Sequence, residues 1–149
     1  MIELGHVTDR KPPYRYAAYT RVAFSDTDAQ DVVYYGRYMP YFDLARTEYH
    51  RHLGTIVLRG QFAMRAISVE YHAPARFDDL LEVFVRVERI GKTSVRYDLA
   101  AYGLTDEAPD ALMASAKQTL VFIDPARRLP QAVPVEFREL VARFERVAA

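Results

Sequence analysis

The sequence predicts an α+β fold, an antiparallel sheet packed on one long helix. Three observations predict it. One strand-like segment precedes a long amphipathic helix, four segments of strand periodicity follow it, and short polar turns punctuate the strands. At 149 residues the chain has the size of a single domain, residues 1–149, and with half its residues hydrophobic it can bury one core.

Residues 1–14 are polar, contain Pro12-Pro13 and read as a loose N-terminal arm. Residues 16–24 read as a strand ending at the turn signal Ser25-Asp26. From Gly36 to Leu53 the positions Tyr38, Tyr41, Phe42, Ala45, Tyr49 and Leu53 follow helical spacing, and Gly54 supplies the stop. Such a helix is about 27 Å long, enough to cross a small sheet. Strand periodicity then takes over. Ala63, Arg65, Ile67, Val69 and Tyr71 alternate, as do Leu81, Val83, Val85 and Val87, and again Val95, Tyr97, Leu99 and Ala101. Ile90-Gly91-Lys92-Thr93 reads as a hairpin turn, Thr105 to Asp110 as a polar connection, and Leu112 to Ile123 as a fifth strand. Pro134 opens a short C-terminal helix with Phe137, Leu140, Val141, Phe144 and Val147 on one face.

Composition excludes several classes of function. Net charge is zero, so bulk electrostatics draw no nucleic acid. Cysteine is absent, which removes disulfides, thiolate metal sites and cysteine nucleophiles together. The first 20 residues hold Glu3, Asp9, Arg10 and Lys11 with no apolar run, so they do not read as a signal peptide. No segment reaches the roughly 18 apolar residues of a membrane span. The expected setting is soluble and cytoplasmic.

The chemistry concentrates between the first strand and the long helix. There Asp26-Thr27-Asp28 precedes a run rich in tyrosine, Tyr34, Tyr35 and Tyr38. A helix start offers unpaired backbone N–H groups and the positive end of the helix dipole. A carboxylate beside such donors can attack a carbonyl or activate water, while the donors hold the oxyanion.

The pattern Asp28-Ala29-x-x-Val32-Val33-Tyr34-x-x-x-Tyr38, followed by Phe42-Asp43-x-Ala45-Arg46-x-Glu48 and Gly54, resembles the hotdog-fold acyl-CoA thioesterases of the 4-hydroxybenzoyl-CoA thioesterase type. The resemblance is sharpest over residues 21–54 and extends through strand order to about residue 124. It implies a five-stranded antiparallel sheet wrapped around the central helix, with a homodimer or homotetramer covering the sheet edges. It also implies hydrolysis of an acyl-CoA thioester with no cofactor and no metal. Asp28 becomes the nucleophile or general base, and the backbone N–H of Tyr35 the donor that polarises the thioester carbonyl. Val33, Tyr34 and Tyr38 fall to the substrate, and Lys92 and Thr93 to the CoA phosphates, with Arg89 and Arg127-Arg128 as supplementary cations. The chain departs from the pattern at Asp31, where many relatives carry Gly. Aspartate tolerates unusual backbone angles better than most residues. Its charge, three residues from Asp28, bears on acyl preference.

Other titratable residues read as structural. Asp26 is expected to pair with Arg46, and Asp43 with Arg46 at i, i+3 on the helix. His50 and His52 face two directions and make a poor metal pair. No G-x-S-x-G elbow and no phosphate loop occurs. Two rival functions follow. A hotdog hydratase or dehydratase would need a His–carboxylate pair, and no His stands between residues 25 and 38. A non-catalytic acyl-CoA sensing protein would bind without turnover.

Overall fold

Period-two burial builds the sheet. The computed structural model describes residues 2–56, 61–104 and 110–146. Its strands are β1 (Gly5–Val7), β2 (Tyr16–Arg21), β3 (Phe62–Tyr71), β4 (Leu80–Ile90), β5 (Ser94–Leu104) and β6 (Ala111–Phe122). They form one sheet in the order β1-β2-β4-β5-β6-β3, and every neighbouring pair is antiparallel. Leu81, Val83, Val85 and Val87 of β4 and Val95, Tyr97, Leu99 and Ala101 of β5 are buried on one face, as their alternation predicts.

The helix α1 (Tyr38–Leu53) covers that face. Its buried stripe is Tyr38, Tyr41, Phe42, Ala45 and Tyr49, and Gly54 terminates it in the left-handed region at φ 78°. It starts two residues later than expected because Tyr35–Arg37 first forms a 3-10 turn. Likewise β2 ends at Arg21, and Phe24–Asp26 is a 3-10 turn rather than strand. The second helix, α2 (Val135–Glu145), packs Phe137 and Val141 into the core. Glu145 Oε2 accepts from Tyr49 Oη at 2.8 Å and from Val87 N–H at 2.9 Å, which ties α2 to α1 and β4. Val147 and residues 105–109 of the polar connection lie outside the described residues.

The sheet has six strands where five were expected, because the N-terminal arm is not loose. Residues 5–7 pair with β2, His6 opposite Ala17. Beyond β1 the arm lies over the sheet face turned away from α1. There Arg10 Nη2 stands 2.7 Å from Glu82 Oε1, and His6 Nε2 stands 3.0 Å from Glu82 Oε2. Tyr14 packs on Phe84 with ring centroids 5.8 Å apart. Glu82 and Phe84 are fully buried. A carboxylate at that depth needs charged partners, and among the described residues the arm supplies them.

The expected alternation of β3 is interrupted. Its register to β6 slips between Met64 and Ala66, so Arg65 is the extra residue of a bulge. The strand forms one edge of the sheet, and Met64, Ile67 and Tyr71 on it are exposed.

Candidate active site

The loop from β2 to α1 is folded on itself by local hydrogen bonds. Tyr34 N–H donates to the carbonyl of Asp26 (2.9 Å), and Thr27 and Val33 form an isolated bridge. Inside it, Asp28 N–H donates to Val32 O and Asp31 N–H to Asp28 O, both at 3.0 Å. Closing so tight a turn puts Asp31 in the left-handed region, at φ 62°. That is the conformation in which Asp costs less than most side chains, so the turn accommodates an aspartate where the resemblance leads one to expect Gly.

Asp28 Oδ1 accepts the N–H of Gln30 at 2.8 Å. Among the described residues Oδ2 receives no protein donor. Val33 N–H donates to Ala75 O at 2.8 Å, which holds this loop against the segment after β3. A groove of about 350 Å³ opens between them, lined by Asp28, Val33, Tyr35, Tyr38, Tyr71 and His72 among others.

The donor side of the groove is the 3-10 turn ahead of α1. Tyr34 O accepts Arg37 N–H at 2.8 Å, and Tyr38 N–H turns back to Gly36 O and Tyr35 O. Among the described residues nothing accepts the N–H of Tyr35, the first residue of that turn. Tyr71 Oη donates to Tyr35 O at 3.0 Å and braces the turn from β3. Asp28 and Tyr35 thus line one groove beside the start of α1. That arrangement can take an acyl carbonyl, with a nucleophile or base on one side and an oxyanion donor on the other.

The other expected site residues divide. Val33 and Tyr38 are buried walls of the groove, and burial pushes the Tyr38 hydroxyl up to about 12. Tyr34 does not line the groove; it is exposed and packs against Tyr35 in a tilted pair with centroids 4.2 Å apart. Lys92 and Thr93 sit in the β4–β5 turn, where Lys92 O accepts Val133 N–H and Thr93 O accepts Phe122 N–H. Asp28 follows β2, which pairs with the start of β4, so within one chain these residues lie at the other end of the sheet. An 11-residue strand separates the ends, about 36 Å.

One expected pairing is wrong. Asp26 does not meet Arg46; its Oδ2 accepts from Tyr41 Oη (2.6 Å) and Ala23 N–H (2.9 Å). Arg46 points the other way, to Asp43 at 2.9 Å as expected and to Gln118 Oε1. The Asp26 loop crosses above the first turn of α1, within reach of position 41 and not of 46. His50 and His52 do face apart. His50 is buried between Thr55 and Tyr97, and His52 reaches Glu3.

Sequence reasoning missed Tyr71 and His72 as groove residues. Their signal was weak: a Tyr-His-Ala-Pro run closing an expected strand. Only the return of β3 to the α1 start places them beside Asp28.

The family model described as the thioesterase superfamily matches residues 30–109. The acyl-CoA thioester hydrolase YbgC of Escherichia coli O6:H1 is 34% identical over 130 residues, which cover 84% of this chain and 92% of the relative. The acyl-CoA thioesterase YbgC of Haemophilus influenzae is 30% identical over 124 residues, 79% of this chain and 88% of the relative. Among solved structures, a thioesterase from Thermus thermophilus complexed with coenzyme A and Zn superposes with a TM-score of 0.75 at 23% identity, covering 87% of this chain and 95% of that one. A mutant 4-hydroxybenzoyl-CoA thioesterase complexed with 4-hydroxybenzoyl-CoA also gives 0.75, at 21% identity, over 84% of this chain and 96% of that one.

Proposed function

This chain belongs to the thioesterase superfamily and is an acyl-CoA thioester hydrolase with the hotdog fold, and we propose that Asp28 and the Tyr35 N–H are the groups that carry its reaction. The observation that supports the assignment is the groove that Asp28 and Tyr35 share, with no protein donor at Asp28 Oδ2 and no acceptor for Tyr35 N–H among the described residues. Asp28 attacks the thioester carbon or directs water at it. The developing oxyanion is received by Tyr35 N–H, at the positive end of α1. Val33 and Tyr38 form the apolar wall for the acyl group, and Tyr34 flanks the entrance. The reaction so drawn uses no metal and no cofactor.

The distance of Lys92 and Thr93 from Asp28 argues for a homodimer. The end of β3 lies at the Asp28 end of the sheet, and its start lies beside the β4–β5 turn. Antiparallel pairing of two β3 edges therefore brings the turn of one chain to the Asp28 end of the other. There Lys92, Thr93 and Arg89 can meet CoA phosphates as point charges and donors. No helix among the described residues is long and apolar enough to cross a membrane. We place the reaction in the cytoplasm, a setting that suits a cysteine-free chain.

The experiment is free-thiol release from a panel of short, long and aromatic acyl-CoAs, wild type beside Asp28→Asn. Loss of a positioned base lowers kcat by about 10²–10⁴-fold, and loss of a nucleophile by at least as much. Turnover that survives in Asp28→Asn would move the chemistry elsewhere. Binding of acyl-CoA by wild type without any thiol release would turn the reading to a sensing protein.

A further inference from the structure

Another cavity lies further along the crease between α1 and β3. It measures about 230 Å³ and is lined by Asp43, Arg46 and Thr47 of the helix, Phe62 and Met64 of β3, and Tyr97 of β5. An apolar strip on β3 joins it to the Asp28 groove. Tyr71 belongs to the groove and packs edge-on against Tyr38 of α1, with centroids 5.7 Å apart. Ile67 lies on the same face by alternation, and the bulge at Arg65 keeps Met64 on that face too, at the cavity. These three side chains are 49, 39 and 44% exposed, an open apolar track in one chain. From Tyr38 to Arg46 the helix advances about 12 Å. From Tyr71 to Met64 the strand covers about 20 Å. The far end of the track is polar. Arg46 lies over the Tyr97 ring, 5.8 Å from its centroid, and its side chain is 17% exposed. Its Nη2 donates to Asp43 Oδ1 at 2.9 Å, and its Nη1 donates to Gln118 Oε1. Among the described residues its Nε–H meets no acceptor, and Asp43 Oδ2 meets no donor.

We infer that this cavity receives the far end of the acyl chain, and that Arg46 with Asp43 selects chains that end in a hydroxyl. The inference rests on the hydrolase reading above, which puts the thioester at Asp28 and leaves the chain to run along Tyr71, Ile67 and Met64. An extended chain advances about 1.3 Å per carbon, so the track takes about 10–16 carbons. Pairing of two β3 edges places the second copy beside the track and closes its open side against water. At the cavity, a guanidinium beside a carboxylate offers a donor and an acceptor together. A hydroxyl accepts one hydrogen bond and donates another, so it satisfies both. A terminal carboxylate would meet the charge of Asp43. A terminal methyl would strip water from both groups and replace none of their hydrogen bonds. Arg46 and Asp43 touch the chain end and not the reacting atoms, so their role is specificity and not catalysis.

Thiol release from matched acyl-CoAs tests the assignment, each pair differing only in a methyl or hydroxymethyl end, at about 6 and about 14 carbons. Wild type should favour the long hydroxylated chain over its methyl-ended match by about 10-fold or more in kcat/KM. It should show no such preference at about 6 carbons, where the chain stops short of Arg46. Arg46→Met, which keeps an apolar stem over Tyr97, should bring the long-chain ratio close to one. Thr47→Leu narrows the cavity and leaves the partners of Arg46 in place. It should lower kcat/KM for both long chains relative to the short ones, and it carries the test if circular dichroism shows Arg46→Met unfolded. Equal wild-type rates for the two long chains overturn the inference. So does a hydroxyl preference already present at about 6 carbons, or one that survives in folded Arg46→Met. Failure of wild type on every thioester overturns the hydrolase reading instead.

Discussion

The phenolic hydroxyl of Tyr41, on the first turn of α1, donates a 2.6 Å hydrogen bond to Oδ2 of Asp26, and the same oxygen accepts Ala23 N–H at 2.9 Å. Asp26 O accepts Tyr34 N–H, so this one residue joins the end of β2, the helix and the oxyanion turn. Arg37 Nε stands 3.8 Å from the second carboxylate oxygen. Burial, and then the Asp26 carboxylate, push the Tyr41 hydroxyl far above its ordinary value, so it donates and never competes as an anion. The link holds the loop bearing Asp28 in register with the turn bearing Tyr35 N–H.

Tyr41→Phe should therefore cost turnover more than binding. Removing the hydroxyl strips Asp26 of a charge-assisted donor, worth about 1–3 kcal/mol of stability. Misplacement of catalytic groups by about 1 Å can cost on the order of 10²-fold in rate. We expect kcat to fall by about 10-fold or more with KM within about 2-fold, read beside urea unfolding. Asp26→Asn, which keeps an acceptor for Ala23 and Tyr41, should lose less. A loss of stability with kcat unchanged would reduce the pair to scaffolding.

The sequence revealed what is local and concealed what is not. The α1 stripe and the β4 and β5 alternation are periodicities of short range, and they read correctly. Asp28 and Tyr35 could be named together because one turn of chain joins them. Tyr41 and Arg46 are both fit partners for a carboxylate by residue type, and only the placement of the Asp26 loop over the first turn of α1 chooses between them. Alternation puts Glu82 on the sheet face away from α1, but it cannot announce that an arm 72 residues away carries Arg10 to it. Tyr71 and His72 join Asp28 around the groove through the return of β3, a long-range placement with no signature in spacing. The separation of Lys92 from Asp28 follows from strand direction and register, which composition does not encode.

The left-handed backbone at Asp31 separates stability from charge. A β-carbon at φ 62° carries strain that glycine lacks. Asp31→Gly should be neutral or stabilising in thermal unfolding, and Asp31→Val should lose about 1–2 kcal/mol. The Gly variant also removes a negative charge beside Asp28. Its kcat/KM should rise more for acyl-CoAs with an anionic acyl group than for neutral ones. Equal changes for both would show that Asp31 does not sense acyl charge.

The exposed β3 edge gives the dimer a test of its own. Ile67 stands mid-strand at 39% exposure, where self-pairing would cover it. Wild type should scatter light as twice the chain mass, and Ile67→Lys should shift towards one chain as concentration falls. Activity should fall with the dimer, because Lys92 would no longer reach the neighbouring groove. A monomeric wild type with full turnover would refute the shared site.

His50 predicts acid sensitivity with a definite sign. Burial pushes its imidazole down from 6.5 to about 3, and the Arg46 cation adds to the shift. Its partners, Tyr97 Oη at Nε2 (2.6 Å) and Thr55 Oγ1 at Nδ1 (2.8 Å), suit a neutral ring with one donor and one acceptor nitrogen. The unfolded imidazole takes a proton below about pH 6.5, and the folded one refuses it down to about 3. The unfolded state thus binds more protons across that window. Stability from His50 is fully present above the window and is lost as pH falls through it, at up to about 1.4 kcal/mol per pH unit. Glu145, which burial pushes up, works the opposite way, so the comparison must be a difference between variants. His50→Gln should be less stable at pH 7 by about 1–3 kcal/mol. Its urea-unfolding free energy should nevertheless fall less steeply than wild type between pH 6.5 and 4. Parallel lines for the two proteins would mean that His50 takes its proton in the fold as readily as outside it.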